Sequence, residues 1–261
     1  MSETGVLDNS YMSLTVVSFL AFMFLYEYVS PWISCWLCPK YKTLTEKQQI
    51  NWNTRVISSV HAVIMGSLCL YTINYDPEVR DDPIWRDTPQ VRVSGAILIG
   101  YSLADSLVMA LHYDKIGEIF YFLHHASAAY AFFYVAMFGV LPYFSNYRLL
   151  SEISTPLVNQ RWFLSTLDYK KDSKPFIING VIMTLMFFIT RLACMPYYWY
   201  KVYEVYNTEP FTRLGHMQYV LIGTCFVLDV INFLWFYRML RGVYNVLQYL
   251  IHRNDIPLKE E

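Results

Sequence analysis

The 261 residues carry 55% apolar and only 16% charged side chains, with a formal net charge of −1. Soluble domains run near a quarter charged, so the composition argues against a soluble globular fold, and the lack of basic excess argues against nucleic-acid binding. Aromatic residues reach 18%, with 23 Tyr and 7 Trp, which suits helix ends set among lipid headgroups.

Residues 1–10 hold Glu3 and Asp8 and no basic residue, and the apolar run that follows is too long for a secretory leader, so an uncleaved first span is expected. A helix needs about 20 mostly apolar residues to cross about 30 Å of hydrocarbon. Spans are expected at 11–33, 55–73, 93–112, 119–140, 144–164, 176–196 and 217–237. The fifth is the most polar, with Arg148, Glu152, Asn159, Gln160 and Arg161, and with Pro156 inside it. It is kept as a span because Arg148, Glu152, Thr155 and Asn159 recur at i, i+4, i+7 and i+11, a single helical face that can look into a bundle. The expected fold is all-α: a multi-pass membrane bundle of seven transmembrane helices.

Lys and Arg set the orientation. With the N-terminus on the non-cytosolic side, 13 of the 20 basic residues fall in the cytosol, among them Lys40, Lys42, Lys47, Lys115, Lys170, Lys171, Lys174 and Arg238. Five, namely Arg80, Arg86, Arg92, Lys201 and Arg213, fall on the other side, and the C-terminus is expected in the cytosol.

Ionisable groups inside a span are costly unless they face inward and find partners. Depth counted along the helices puts His61, Asp105, His124, His125, Asn159, Asp229 and Asn232 in the cytosolic half, and Arg148, Glu152 and Arg191 in the other. The second group reads either as a buried structural ion cluster or as a site for an anionic headgroup. In the first, imidazole beside carboxylate is what general acid–base chemistry needs, which makes His124, His125, Asp105 and Asp229 the catalytic candidates. His61, His124, His125, Asn159 and Asn232 are the candidate lipid-binding residues, and interhelical hydrogen bonding is the plain alternative for the His. A cavity in this half is expected, lined by His124 or His125 with Asp105 or Asp229 nearby.

No metal or other cofactor is expected: the six His show none of the spacings of membrane di-iron enzymes. The lone Cys35-x-x-Cys38 is weak as a metal or redox motif, and acylation of either cysteine is left open.

His124-His125, then Asn146-x-Arg148, then Pro156-x-x-Asn159-x-Arg161-Trp162 together resemble the TLC-domain family, which contains ceramide synthases and non-synthase members. Trp52-Asn53-x-Arg55 and Thr208-Glu209-Pro210 extend the likeness. The resemblance implies a six-helix TLC bundle at 43–246, preceded by an extra helix at 1–42 and followed by a tail at 247–261. It further implies a lipid-related role in an internal membrane such as the endoplasmic reticulum. The synthases follow their His pair with His-Asp and a further Asp, where this chain has Ser151, Glu152 and Thr155. A protein of lipid homeostasis that binds or senses lipid without ceramide synthesis is therefore expected. An acyltransferase with His124 or His125 as base is the first alternative, and a cargo or partner-binding protein the second. The expected partner is membrane lipid (a sphingolipid, a phospholipid or an acyl chain), with no nucleic acid and with a homo-oligomer left open.

Overall fold

Prolines and caps set the limits and irregularities of the helices. Thr45 Oγ1 accepts from the Gln48 backbone N–H while Gln48 Oε1 accepts from the Thr45 N–H, a capping box that starts the second helix well before its apolar stretch. Pro31 and Pro196 each lie inside a helix, where the ring removes a donor and crowds the carbonyl four residues back. Each is preceded by a widened π turn, at Leu25–Val29 and at Phe188–Ala193. Before Pro156 the polar fifth run instead narrows, to a 3₁₀ stretch at Leu150–Ser154.

The computed structural model describes residues 9–252, and residues 253–261 of the expected tail lie outside the described residues. Among the described residues there are seven long helical rods. Six are long and apolar enough to cross a membrane: α1 Asn9–Leu37, α2 Glu46–Tyr75, α3 Pro89–Leu111, α4 Ile119–Phe138, α6 Lys174–Val205, and the seventh, α7, which runs Met217–His252. The remaining rod, α5, is a continuous run made of Pro142–Leu149, Leu150–Ser154 and Thr155–Thr166, too polar to qualify by composition alone. Several rods outrun the expected spans, α2 at its start and α6 and α7 at their ends. Capping and amphipathic turns carry a helix past the hydrocarbon that hydropathy measures.

The helices close a ring in the order α2, α3, α4, α7, α6, α5 and back to α2, and α1 packs outside against α3. The chain is thus an all-α bundle of six ring helices with one extra N-terminal helix. Lipid tails are as apolar as leucine, so close backbone approach carries much of the packing. A Cβ added at Gly100 would lie 2.6 Å from Ser18 Cβ and 2.7 Å from Thr15 O, and Ser18 Oγ donates to Ile97 O at 3.2 Å in the same contact. Arg92 bonds the carbonyls of Ala136 and Met137 at the end of α4 and pairs with Asp87 at 3.1 Å. That satisfies acceptors which a helix end leaves unpaired.

Candidate functional site

All six ring helices contribute to one cavity of about 390 Å³, and α1 contributes nothing to its lining. Its mouth lies at the end where Lys40, Lys115, Lys170 and Arg238 cluster, with Asn51, Ile116 and Arg238 around it. A short turn of helix, Tyr113–Ile116, lies beside the mouth as a strap. Lys115 Nζ meets Glu46 at 2.6 Å on one side, and Arg238 Nη1 meets Glu118 at 3.0 Å on the other. The hydrogen bond to Glu46 holds the Lys115 ammonium above its ordinary pKa.

Inside, His125 Nε2 stands 3.2 Å from Asp105 Oδ2, both buried. His124, one residue back and turned at right angles to His125, packs its ring 5.3 Å from that of Trp235. Asp105 Oδ1, His124 Nδ1 and Arg55 Nε are buried atoms without a hydrogen-bond partner, and all three residues line the cavity. Buried polar atoms are nearly always paired, so three unpaired ones on residues that line a single cavity are unusual. Arg55 Nη1 donates to Asn159 Oδ1 at 3.1 Å, while Asn159 Nδ2 donates to Ser59 Oγ at 3.0 Å and to Arg55 O. These bonds tie α5 to α2.

The floor is the widened turn of α6. It delivers Arg191, whose guanidinium donates to Ser154 Oγ, Asn232 Oδ1 and Thr155 Oγ1, each at 3.0 Å. Thr155 in turn donates to Glu152 Oε2 at 3.1 Å, and the same oxygen lies 4.0 Å from His61 Nδ1. His61 stacks on Tyr101 with ring centroids 3.9 Å apart.

The expected cluster of Arg148, Glu152 and Arg191 is redistributed: no ion pair joins any two of them. The 3₁₀ stretch has about three residues per turn, so an i, i+4 spacing through it no longer shares a face. Arg148 reaches Asp229 instead, at 2.5 Å and 3.2 Å, with its guanidinium 4.0 Å over the Tyr198 ring. Trp199 Nε1 completes the carboxylate at 2.7 Å. Arg148 and Asp229 are therefore at one depth, a correction to placing them in opposite halves. Asp229 is committed to this clamp and does not line the chamber.

Of the candidate residues, His124, His125, Asp105 and Asn159 line the chamber together with Glu152 and Arg191. His61 lies behind Tyr101, and Asn232 lines a smaller void beneath the floor. Tyr101 and Trp235 escape a reading based on charge. Tyr101 is four residues before Asp105 and Trp235 three after Asn232, so helical spacing from a polar residue was the available signal. No group of three or more His, Cys, Asp or Glu among the described residues is arranged to hold a metal ion.

Ring, outer helix and membrane-crossing rods define a multi-pass membrane protein with a cavity inside its bundle. The chain belongs to the TLC-domain family, whose model, TLC domain, matches residues 51–241. It is 41% identical over 235 residues to TLC domain-containing protein 4-B of Xenopus laevis, with 90% of each chain covered. It is 40% identical over 241 residues to TLC domain-containing protein 4 of Homo sapiens, covering 92% of this chain and 91% of the other. A more distant likeness, 25% over 247 residues, covers 90% of this chain and 92% of TLC domain-containing protein 4 A of Dictyostelium discoideum. No solved structure matches it.

Proposed function

We propose that this protein binds or senses lipid in the chamber and so influences membrane lipid composition, without ceramide-synthase acyl transfer. The carrying observation is the chamber itself, closed by six helices, with unpaired Asp105 Oδ1 and His124 Nδ1 on its wall. Such a space, largely apolar with a few convergent polar groups, is the usual form of a small-molecule or lipid site. His124, His125, Asp105 and Asn159 contact the ligand in this reading, and His61 and Asn232 brace them from behind. The mouth faces the cytosol and the membrane is that of the endoplasmic reticulum. Ser151, Glu152 and Thr155 supply no second imidazole, and Thr155 is already engaged by Arg191 and Glu152.

Mass spectrometry of lipid copurifying with the detergent-solubilised protein tests this. A defined lipid is expected with the wild type and is depleted in His124→Ala. An empty protein, or the same lipid in both, overturns the reading. The His125–Asp105 pair favours a second reading, acyl transfer to a lipid amine or alcohol with His125 as base. Purified protein given acyl-coenzyme A and a panel of acceptors separates the two. Turnover abolished by His125→Ala removes the non-catalytic reading.

A further inference from the structure

A second cavity, of about 230 Å³, opens at the opposite end of the bundle from the chamber. Its walls come from the loop after α2, the start of α5 and the end of α6, and the residues that matter are Arg80, Tyr143, Tyr197, Lys201 and Glu204. It shares no lining residue with the chamber.

Five of the neighbouring carboxylates are committed. Glu78 and Asp76 take Arg86, at 2.5 Å and 3.5 Å. Asp82 accepts from the Ile84 and Trp85 amides, and Asp87 holds Arg92. Glu204 holds Lys201 at 2.6 Å. Asp81, next in sequence, makes no ion pair with Arg80. Among the described residues Arg80 has no hydrogen-bond or ion-pair partner, and its charge acts on nearby Tyr143. The lining thus sets two cations against one carboxylate, with one guanidinium uncommitted.

The level of this cavity in the bilayer follows from α6. Tyr197, Tyr200, Tyr203 and Tyr206 leave their rings exposed along its last turns, the pattern of an aromatic belt among headgroups. A planar guanidinium beside an ammonium and two phenols is suited to a phosphoryl group, because the fork of Arg donors matches two phosphate oxygens. Phe144 and Val205 give the lining an apolar part that suits the glycerol and first methylenes beyond it.

We propose that this cavity binds the phosphoryl group of a phospholipid headgroup in the leaflet opposite the chamber mouth, with Arg80 as the principal contact and Lys201 as the second. The site is independent of the proposed function of the chamber.

The test uses full-length protein in mild detergent, titrated with dihexanoyl phosphatidylglycerol, with dihexanoylglycerol as the phosphate-free control and with inorganic phosphate, and read by native mass spectrometry. Arg80→Gln removes no internal bond, and a thermal melt checks that it folds. Wild type is expected to bind the phospholipid and not the control, and Arg80→Gln to bind about tenfold more weakly, with Lys201→Gln weaker by less. Inorganic phosphate that displaces the phospholipid supports the phosphoryl site with free phosphate as its source. Failure to displace it supports the headgroup. Equal binding by wild type, Arg80→Gln and Lys201→Gln, or no binding of either phosphate probe, overturns the proposal.

Discussion

Arg148 grips Asp229 across 81 residues of chain, with contacts of 2.5 Å and 3.2 Å, and so fastens α5 to α7 beneath the chamber floor. Breaking a buried pair leaves its partner charged and unsolvated, which costs more than the pair contributes. Asp229→Ala should destabilise the protein by about 3–5 kcal/mol, seen as a lower melting temperature in detergent. The double change Arg148→Met with Asp229→Leu should recover much of that loss. A double variant as unstable as the single would show that geometry rather than charge governs the site.

His124 differs in kind, since its Nδ1 has no internal partner and its ring packs against those of Trp235 and His125. His124→Ala should cost no more than about 2 kcal/mol, the range of an ordinary point mutation. Its effect on cellular lipid composition should be clear at that small cost. Thermal melts beside lipidomics of cells carrying the variant measure both, and a badly unfolded variant with normal lipid would make His124 a packing residue.

The strap beside the mouth is held by two partly exposed ion pairs, Lys115–Glu46 and Arg238–Glu118. Pairs of this kind contribute little individually and are screened by salt. Because Glu46 keeps Lys115 charged well above neutrality, salt rather than pH near 7 is the lever. Gly117 reinforces the strap, since a Cβ there would meet Tyr113 O at 2.6 Å. A cysteine at Ser58 should label faster in high salt and faster again with Gly117→Ala. Identical rates in all conditions would rule the strap out as a gate.

Orientation is open to direct measurement. An engineered cysteine in 76–88 should react only with reagent on the non-cytosolic side, and one in 112–118 only from the cytosol. The reverse pattern would invert the bundle and the side to which the chamber opens.

The likeness carried by His124-His125 and Asn146-x-Arg148 was legible without coordinates, as were the membrane class and the seven rods. Hydropathy counts residues over a window about as long as the hydrocarbon is thick, so it finds α1 and α3 readily. The face pattern also kept α5 in the bundle although its composition fails that count. Partner choice was another matter. Arg148 had Glu152 four residues away and Asp229 on a distant helix, and helical periodicity favours the near one. The 3₁₀ turn before Pro156 rotates Glu152 off that face, and ring closure brings Asp229 alongside. A one-dimensional pattern fixes which side chains must be hidden from lipid, because burial of charge is costly in any arrangement. Which hidden charges meet depends on how the helices close and where their turns widen or tighten, and only the folded ring decides that.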